Sequence, residues 1–262
     1  MLKAALKASF PQTFTRASNA WNARKIKRFT AKMDQLLATF TRHHGLRVTA
    51  GPFAGMAYVS DAVCSAILPK LVGSYESELH ETIGKCIASA YPRIIDVGCA
   101  EGYYAVGFAR AMPQTKVFAF DTDAKARDLC TRLALANDVA DRVTVLGECS
   151  LQTLKELGIH NALIICDCEG YEATLLRPDL LPELLETDLI VELHDFAAPG
   201  IRNQILASFS ATHDCLIFDP QPHDPGKYPA LECLIPSDRV FAVDEFRYHA
   251  TQFAYLRRKT LP

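Results

Sequence analysis

Apolar positions along the chain follow three different rhythms. In "WNARKIKRFTAKMDQLLATFTRHHG", Ile26, Phe29, Met33, Leu36, Leu37 and Phe40 recur at helical spacing, with Lys and Arg filling the other face. This predicts an amphipathic helix stopped at Gly45. "LRVTAGPFAGMAYVS" then alternates around Gly-Pro and Gly, the mark of a hairpin or strand-turn segment. "SYESELHETIGKCIASA" predicts a second helix, with Ser74 as its cap and Ser77 to His80 as its first turns.

From Arg93 the rhythm changes again. Short apolar runs ("RIIDVG", "KVFAFD", "RVTVLG", "ALIICD", "LIVELHD", "CLIFDP", "FAYLRR") are separated, except before the last, by helical stretches. Strands that read as continuous apolar runs belong to a sheet covered on both faces. Their alternation with helices predicts an α/β fold: a doubly wound, mostly parallel seven-stranded sheet. No helix is evident between the last two runs, so an antiparallel C-terminal edge hairpin is expected. The predicted organisation is a helical extension over residues 1–50, a hairpin and helix over 51–92, and a ligand-binding α/β domain over 93–262.

Composition changes this picture in two places. Residues 1–50 hold ten Lys/Arg against one acid, Asp34, a balance of +9, and the rest holds 18 against 29, a balance of −11. Such a basic arm suits an anionic membrane surface, nucleic acid, or docking onto the acidic body. No RNA-binding motif accompanies it, so no specific nucleic-acid partner is expected; peripheral membrane contact and a homo-oligomer arm remain open uses. The nine cysteines lack a repeating spacing, and Cys130, Cys166, Cys215 and Cys233 lie inside apolar runs. That favours a reducing compartment, the cytoplasm by default, as does a start without a long apolar leader.

The chemistry gathers at the ends of the runs. In an open α/β sheet, ligands sit beyond the carboxyl ends of the strands. The first run leads into "DVGCAEG", where Gly98, Ala100 and Gly102 shape a tight loop between Asp96 and Glu101. Those acids repel a dinucleotide pyrophosphate and suit a cationic ligand. Asp121 closes the second run, where a carboxylate can take a pair of ribose hydroxyls, and Glu148 follows the third. The fourth run ends in "CDCEGYE". Period two turns Cys166 and Cys168 to one face and Asp167 to the other, and no second closely spaced cysteine pair exists to complete a zinc site.

"DVGCAEG", "VFAFD", Asn137 in "LALAND" and "CDCEGYE" together resemble the class I S-adenosylmethionine-dependent methyltransferases, and specifically the FkbM family. The resemblance covers roughly residues 73–256, and Asp167-x-Glu169-Gly170-x-Glu172 is its most specific part. Ala100 and Asp121 depart from the commoner Gly and Glu. The resemblance implies S-adenosylmethionine as cofactor, held by Asp96, Gly98, Ala100, Gly102, Asp121, Glu148 and Asp167, and methyl transfer to oxygen on a hydroxylated small molecule, sugar or lipid. It also places Glu76, in a Gly-x-x-Glu segment, near the methionine end of the cofactor.

A hydroxyl acceptor needs to lose its proton. His194, in "VELHDF", is the first candidate base, with Asp167 and Glu169 beside it and His80 as a second base. Arg247, Tyr248 and His249 are candidates for the acceptor side. Asp167, His194 and Asp195 form an alternative set for a divalent cation such as magnesium, although a His suits that ion poorly. Two other readings stay in contention: an NAD-dependent oxidoreductase, disfavoured by the acidic loop, and an inactive binding module on the same fold.

Overall fold

The computed structural model describes residues 11–63, 65–247 and 249–259, with side chains from Lys27 onward. Seven strands form one sheet in the order β3-β2-β1-β4-β5-β7-β6. They are β1 (Arg93–Val97), β2 (Lys116–Phe120), β3 (Val143–Leu146), β4 (Leu163–Cys166), β5 (Asp188–Leu193), β6 (His213–Phe218) and β7 (Gln252–Arg258). β1 to β5 pair in parallel, and β7 runs antiparallel between β5 and β6. This is the expected doubly wound, Rossmann-like α/β sheet with an antiparallel C-terminal edge.

The apolar runs are buried on both sides. Every residue of β4 and β5 is buried, as is β1 after Arg93. One face packs against α4 (Tyr103–Ala111) and α5 (Ala124–Ala136), through residues such as Phe108, Val106 and Leu133. The other packs Ile95, Ile164 and Val191 against Leu154 of α6 (Leu151–Leu157) and Ile205 of α8 (Ile201–Phe209). Fully burying such a side chain stabilises the fold by about 1.5–3 kcal/mol. The chain winds outward from β1 in both directions, so the topological switch lies between β1 and β4, where a ligand crevice belongs.

The N-terminal helix, α1 (Pro11–His44), buries Leu36 and Phe40 in the main core. Its last turn closes when Gly45 N–H donates to the Thr41 carbonyl at 2.8 Å. The turn after it makes one antiparallel bridge, Arg47 with Ala57. Asn137 clamps that segment: its amide accepts from Ala57 N–H and donates to the Ala57 carbonyl, both at 2.9 Å. Among the described residues, no helix is long and apolar enough to cross a membrane.

Two local expectations need correction. Ser74 does not cap the second helix; its hydroxyl donates back to the Pro69 carbonyl closing α2 (Ile67–Val72), and a 3-10 turn, Ser77–Leu79, leads into α3 (His80–Ser89). The last two strands pair antiparallel at the edge as expected, but a helix does lie between them. This helix, α9 (Pro236–Val243), starts at a proline and buries only Ala242 and Val243, too small an apolar face to show in the pattern.

Candidate functional site

A cavity of about 840 Å³ opens at the carboxyl ends of β1, β2, β4 and β5. Its nearer wall is the loop after β1. Gly98 has φ +86°, and a Cβ there would stand 1.6 Å from the Asp167 carbonyl, so the β1 and β4 loops touch only because Gly98 lacks a side chain. Gly98 and Cys99 N–H groups both donate to the Phe120 carbonyl, at 2.8 and 2.9 Å. Ala100 N–H donates to Asp121 Oδ2 at 2.9 Å, which ties the loop to the end of β2.

The expected cofactor residues divide into three groups. Asp96, Gly98, Ala100, Asp121, Glu148, Asp167 and Glu76 all line the cavity. Gly102 does not; with φ +95° and Cys130 Sγ 2.7 Å from where its Cβ would be, it lets α4 pack against α5. Glu101 is also withdrawn. It is fully buried against Lys70 Nζ at 2.5 Å, accepts from Tyr58 Oη at 2.7 Å and takes Val63 N–H at 3.2 Å. Burial would raise its pKa, but Lys70 outweighs this and holds the carboxylate below its ordinary range. The expectation that Glu101 faces a cationic ligand fails because its charge is spent inside the protein.

Asp96 accepts from Ala105 N–H at 3.0 Å, and burial pushes its pKa up to about 7, with Asp121 adding to the rise. Glu76 sits at φ +47° and is buried. Its carboxylate pairs with Arg247 at 2.7 Å and accepts from the Tyr104 hydroxyl. Burial raises it to about 7, against the opposing charge of Arg247. Arg247 also reaches Glu192 at 2.8 Å and Glu245 at 2.7 Å, so one guanidinium gathers three carboxylates.

The farther wall comes from the ends of β4 and β5. Glu169 at φ +54° and Gly170 at φ +107° turn the chain sharply into α7 (Glu172–Leu175). This brings Glu172 inward, where Oε1 accepts from Cys168 N–H at 3.1 Å and Gly170 N–H at 3.3 Å. The same oxygen takes His194 Nδ1–H at 2.7 Å. His194 is 3% exposed. With Nδ1 occupied, its Nε2 points to Asp167 Oδ1 at 3.6 Å, Glu169 Oε2 at 3.6 Å and Glu192 Oε2 at 3.7 Å.

These contacts set the electrostatics. Burial would lower the His194 pKa, but the hydrogen bond to Glu172 and the charge of Glu192 reverse this and raise it above the ordinary imidazole value. Glu172 is drawn down although burial opposes it, because His194 favours its anion. Asp167 is raised well above its usual range, first by its removal from bulk water and then by Glu192. One donor atom from each of Asp167, Glu192 and His194 lies within 4.8 Å of the others, a geometry that can receive a cation.

Three further expectations are corrected here. Asp195 is exposed and takes no part in the cluster; its Oδ1 accepts from Gly200 and Arg202 N–H at 3.1 Å each, at the start of α8. Glu192 stands where Asp195 was expected. His80 is not on the cavity wall, because its Nε2–H donates to the Tyr75 carbonyl at 3.1 Å and its ring packs under Gly51. Cys168 shares the cavity wall with Asp167, since strand alternation ends at Cys166; the two sulfurs lie 3.5 Å apart. All eight described cysteines are free. Arg247 and His249 line the cavity, whereas Tyr248 lies outside the described residues.

Sequence reasoning passed over Glu192, Glu245 and the orienting role of Glu172. Glu192 had a usable signal, an acid inside the apolar run "LIVELHD". A charge in a buried strand demands a partner.

No protein-family profile matches the chain, and no curated protein matches it in sequence. Among solved structures it is similar to an O-methyltransferase from Klebsiella pneumoniae at 15% identity, covering 86% of this chain and 90% of that one, with TM-score 0.47. An O-methyltransferase from Bacillus cereus in complex with SAH aligns at 12% identity over 87% and 90% of the two chains, with TM-score 0.45. An rRNA methylase from Streptococcus thermophilus aligns at 8% identity over 71% and 99%, with TM-score 0.49. At these values no residue role is carried across.

Proposed function

We propose that the chain is an S-adenosylmethionine-dependent methyltransferase acting on a hydroxyl group, in keeping with its resemblance to the FkbM family. The observation that carries this reading is the acid-lined cavity at the switch point, with Asp121 at one end and a carboxylate-held imidazole at the other. Its wall holds nine acidic side chains against Lys70 and Arg247. Such a wall favours a sulfonium cation and opposes the pyrophosphate of a dinucleotide, which supports this reading over the oxidoreductase one.

The donor set fits the cofactor. In this reading Asp121 takes the ribose hydroxyls, the loop at Gly98 and Ala100 allows close backbone approach, and Glu76 and Asp167 meet the charged methionine end. When bound, the cofactor supplies a methyl carbon activated by its positive sulfur. The protein supplies position and a proton acceptor. Glu172 fixes the His194 tautomer by taking Nδ1–H, which leaves the Nε2 lone pair facing the cavity to accept the proton of the acceptor hydroxyl. Asp167, Glu169 and Glu192 stabilise the imidazolium that results. Arg247 holds Glu76 and Glu192 apart from each other's charge on the acceptor side.

The test is His194→Ala, assayed for methyl transfer from labelled cofactor to a panel of hydroxylated acceptors. Turnover is expected to fall by about 10²–10⁴-fold while cofactor affinity is kept. Unchanged turnover would remove His194 as base.

A second reading of the same cluster is favoured by the convergence of Asp167, Glu192 and His194. In it, Asp167, Glu192 and His194 would hold a divalent cation of the manganese or zinc type, which would supply Lewis-acid activation of the acceptor hydroxyl. The two readings exclude each other at one atom, because the Nε2 lone pair cannot bind a cation and accept a proton together. Titration of the protein with manganese after chelator treatment, followed by calorimetry, separates them.

A further inference from the structure

Beyond the cavity, the described side chains of α1 pass from exposed to buried along the helix. Leu36 and Phe40 are buried, but Lys27, Arg28, Phe29, Thr30 and Ala31 are all exposed. Phe29, 42% exposed, meets Phe246 edge to face at 4.8 Å between ring centres, and Phe246 lines the cavity. One turn of α1 onward, Lys32 Nζ pairs with Asp238 Oδ2 at 2.6 Å and joins α1 to α9. Ile235 and Phe241 flank Asp238 at three-residue spacing, the spacing of one helix face. They are 63% and 42% exposed, and Val240 beside them is 57% exposed. Large apolar side chains gathered on the surface mark an interaction site.

The exposed turn itself is basic, with Lys27 and Arg28 in it, and Asp238, the acid beside it, is paired with Lys32. Seven Lys/Arg precede Phe29, and the first acid of the chain is Asp34.

We propose that the exposed turn of α1 around Phe29, together with Ile235, Val240 and Phe241, docks on an anionic lipid bilayer. Docking sets the cavity, through Phe246, at the membrane–water interface. If the methyltransferase reading holds, on which this last step rests, the acceptor is a hydroxyl on a membrane-resident molecule. A bilayer offers both things the surface asks for, anionic headgroups for Lys27 and Arg28 and an apolar layer for Ile235, Val240 and Phe241. Nucleic acid offers phosphates but nothing for Ile and Val to enter. Isologous pairing of two copies would set the basic turns against each other.

The test is sedimentation of the full chain with phosphatidylcholine vesicles, with and without phosphatidylserine. Binding is expected with the anionic vesicles at low salt and at least about tenfold weaker with the neutral ones. The double variant Lys27→Glu/Arg28→Glu and, separately, Ile235→Ser/Phe241→Ser should each weaken it at least about tenfold, with unchanged melting temperature because all four positions are exposed. Absence of binding to anionic vesicles, or indifference to either variant, overturns the proposal. So does a dimer in light scattering that Ile235→Ser/Phe241→Ser dissociates, or tighter binding to an oligonucleotide that this variant leaves unchanged. Sedimentation needs neither cofactor nor turnover, so failure of docking and failure of the methyltransferase reading register in different experiments.

Discussion

The two acidic ends of the cavity are closed in opposite ways. After β1, Glu101 is fully buried and all its demands are met by Lys70, Tyr58 and Val63 N–H. After β4 and β5, Asp167, Glu169 and Glu192 converge on His194 Nε2 at 3.6–3.7 Å, too far for hydrogen bonds, and Glu172 Oε2 is buried without a partner among the described residues. The first arrangement is a finished ion pair that braces the loop. The second keeps charge and lone pairs in reserve, at a cost to stability, where a ligand can use them. Counting acids near a glycine loop does not distinguish them; the partner each acid has does.

The seam between the two ends gives the largest expected effect. Gly98→Ala puts a Cβ into the Asp167 carbonyl, a clash against backbone that no side-chain rotation relieves. Chemical denaturation should show a loss above about 4 kcal/mol, or no folded protein. A stable Gly98→Ala chain would mean that the loops are not in contact.

Lys70→Met probes the closed end. It leaves Glu101 charged and unpaired in the interior, at a cost of about 3–5 kcal/mol. The pH dependence should also change sign. In the native chain the depressed Glu101 pKa contributes stability above the ordinary carboxylate range, lost as pH falls through the folded value. In the variant, burial, the largest influence, is opposed only by the hydrogen bonds of Tyr58 and the backbone and raises that pKa, so stability recovers as pH falls. Melting curves across acidic pH check this; parallel profiles would show that Lys70 does not hold Glu101.

Glu172→Gln probes the open end and should have the smallest effect, read in the pH profile rather than in stability. His194 accepts a proton only when neutral, and its pKa is raised above 6.5 by Glu172 and Glu192 against burial. Turnover therefore rises with pH through a limb above the ordinary imidazole range in the native chain. Removing the Glu172 charge should move that limb to lower pH. An unmoved limb would assign it to another group.

The same contrast explains what the sequence could reveal. Continuous apolar runs such as "LIVEL" and "ALIIC" report a sheet buried on both sides, and their order with helices reports the winding, so the fold was legible. The strand ends were legible too, because Asp121, Asp167 and His194 sit where a parallel sheet must present them. Pairing across the chain was not. Lys70 and Glu101 lie 31 residues apart, and Glu76 meets Arg247 across 171. No local spacing encodes such contacts. Asp195 misled because adjacency to His194 on the chain is not adjacency in space: past the end of β5, its side chain turns to cap α8.

The central claim is that the open end and the cavity serve a sulfonium cofactor, and calorimetry tests it most directly. Native protein titrated with S-adenosylmethionine should bind it at micromolar concentration, and NAD under the same conditions should give no heat. Micromolar binding of NAD with none of S-adenosylmethionine would contradict the account.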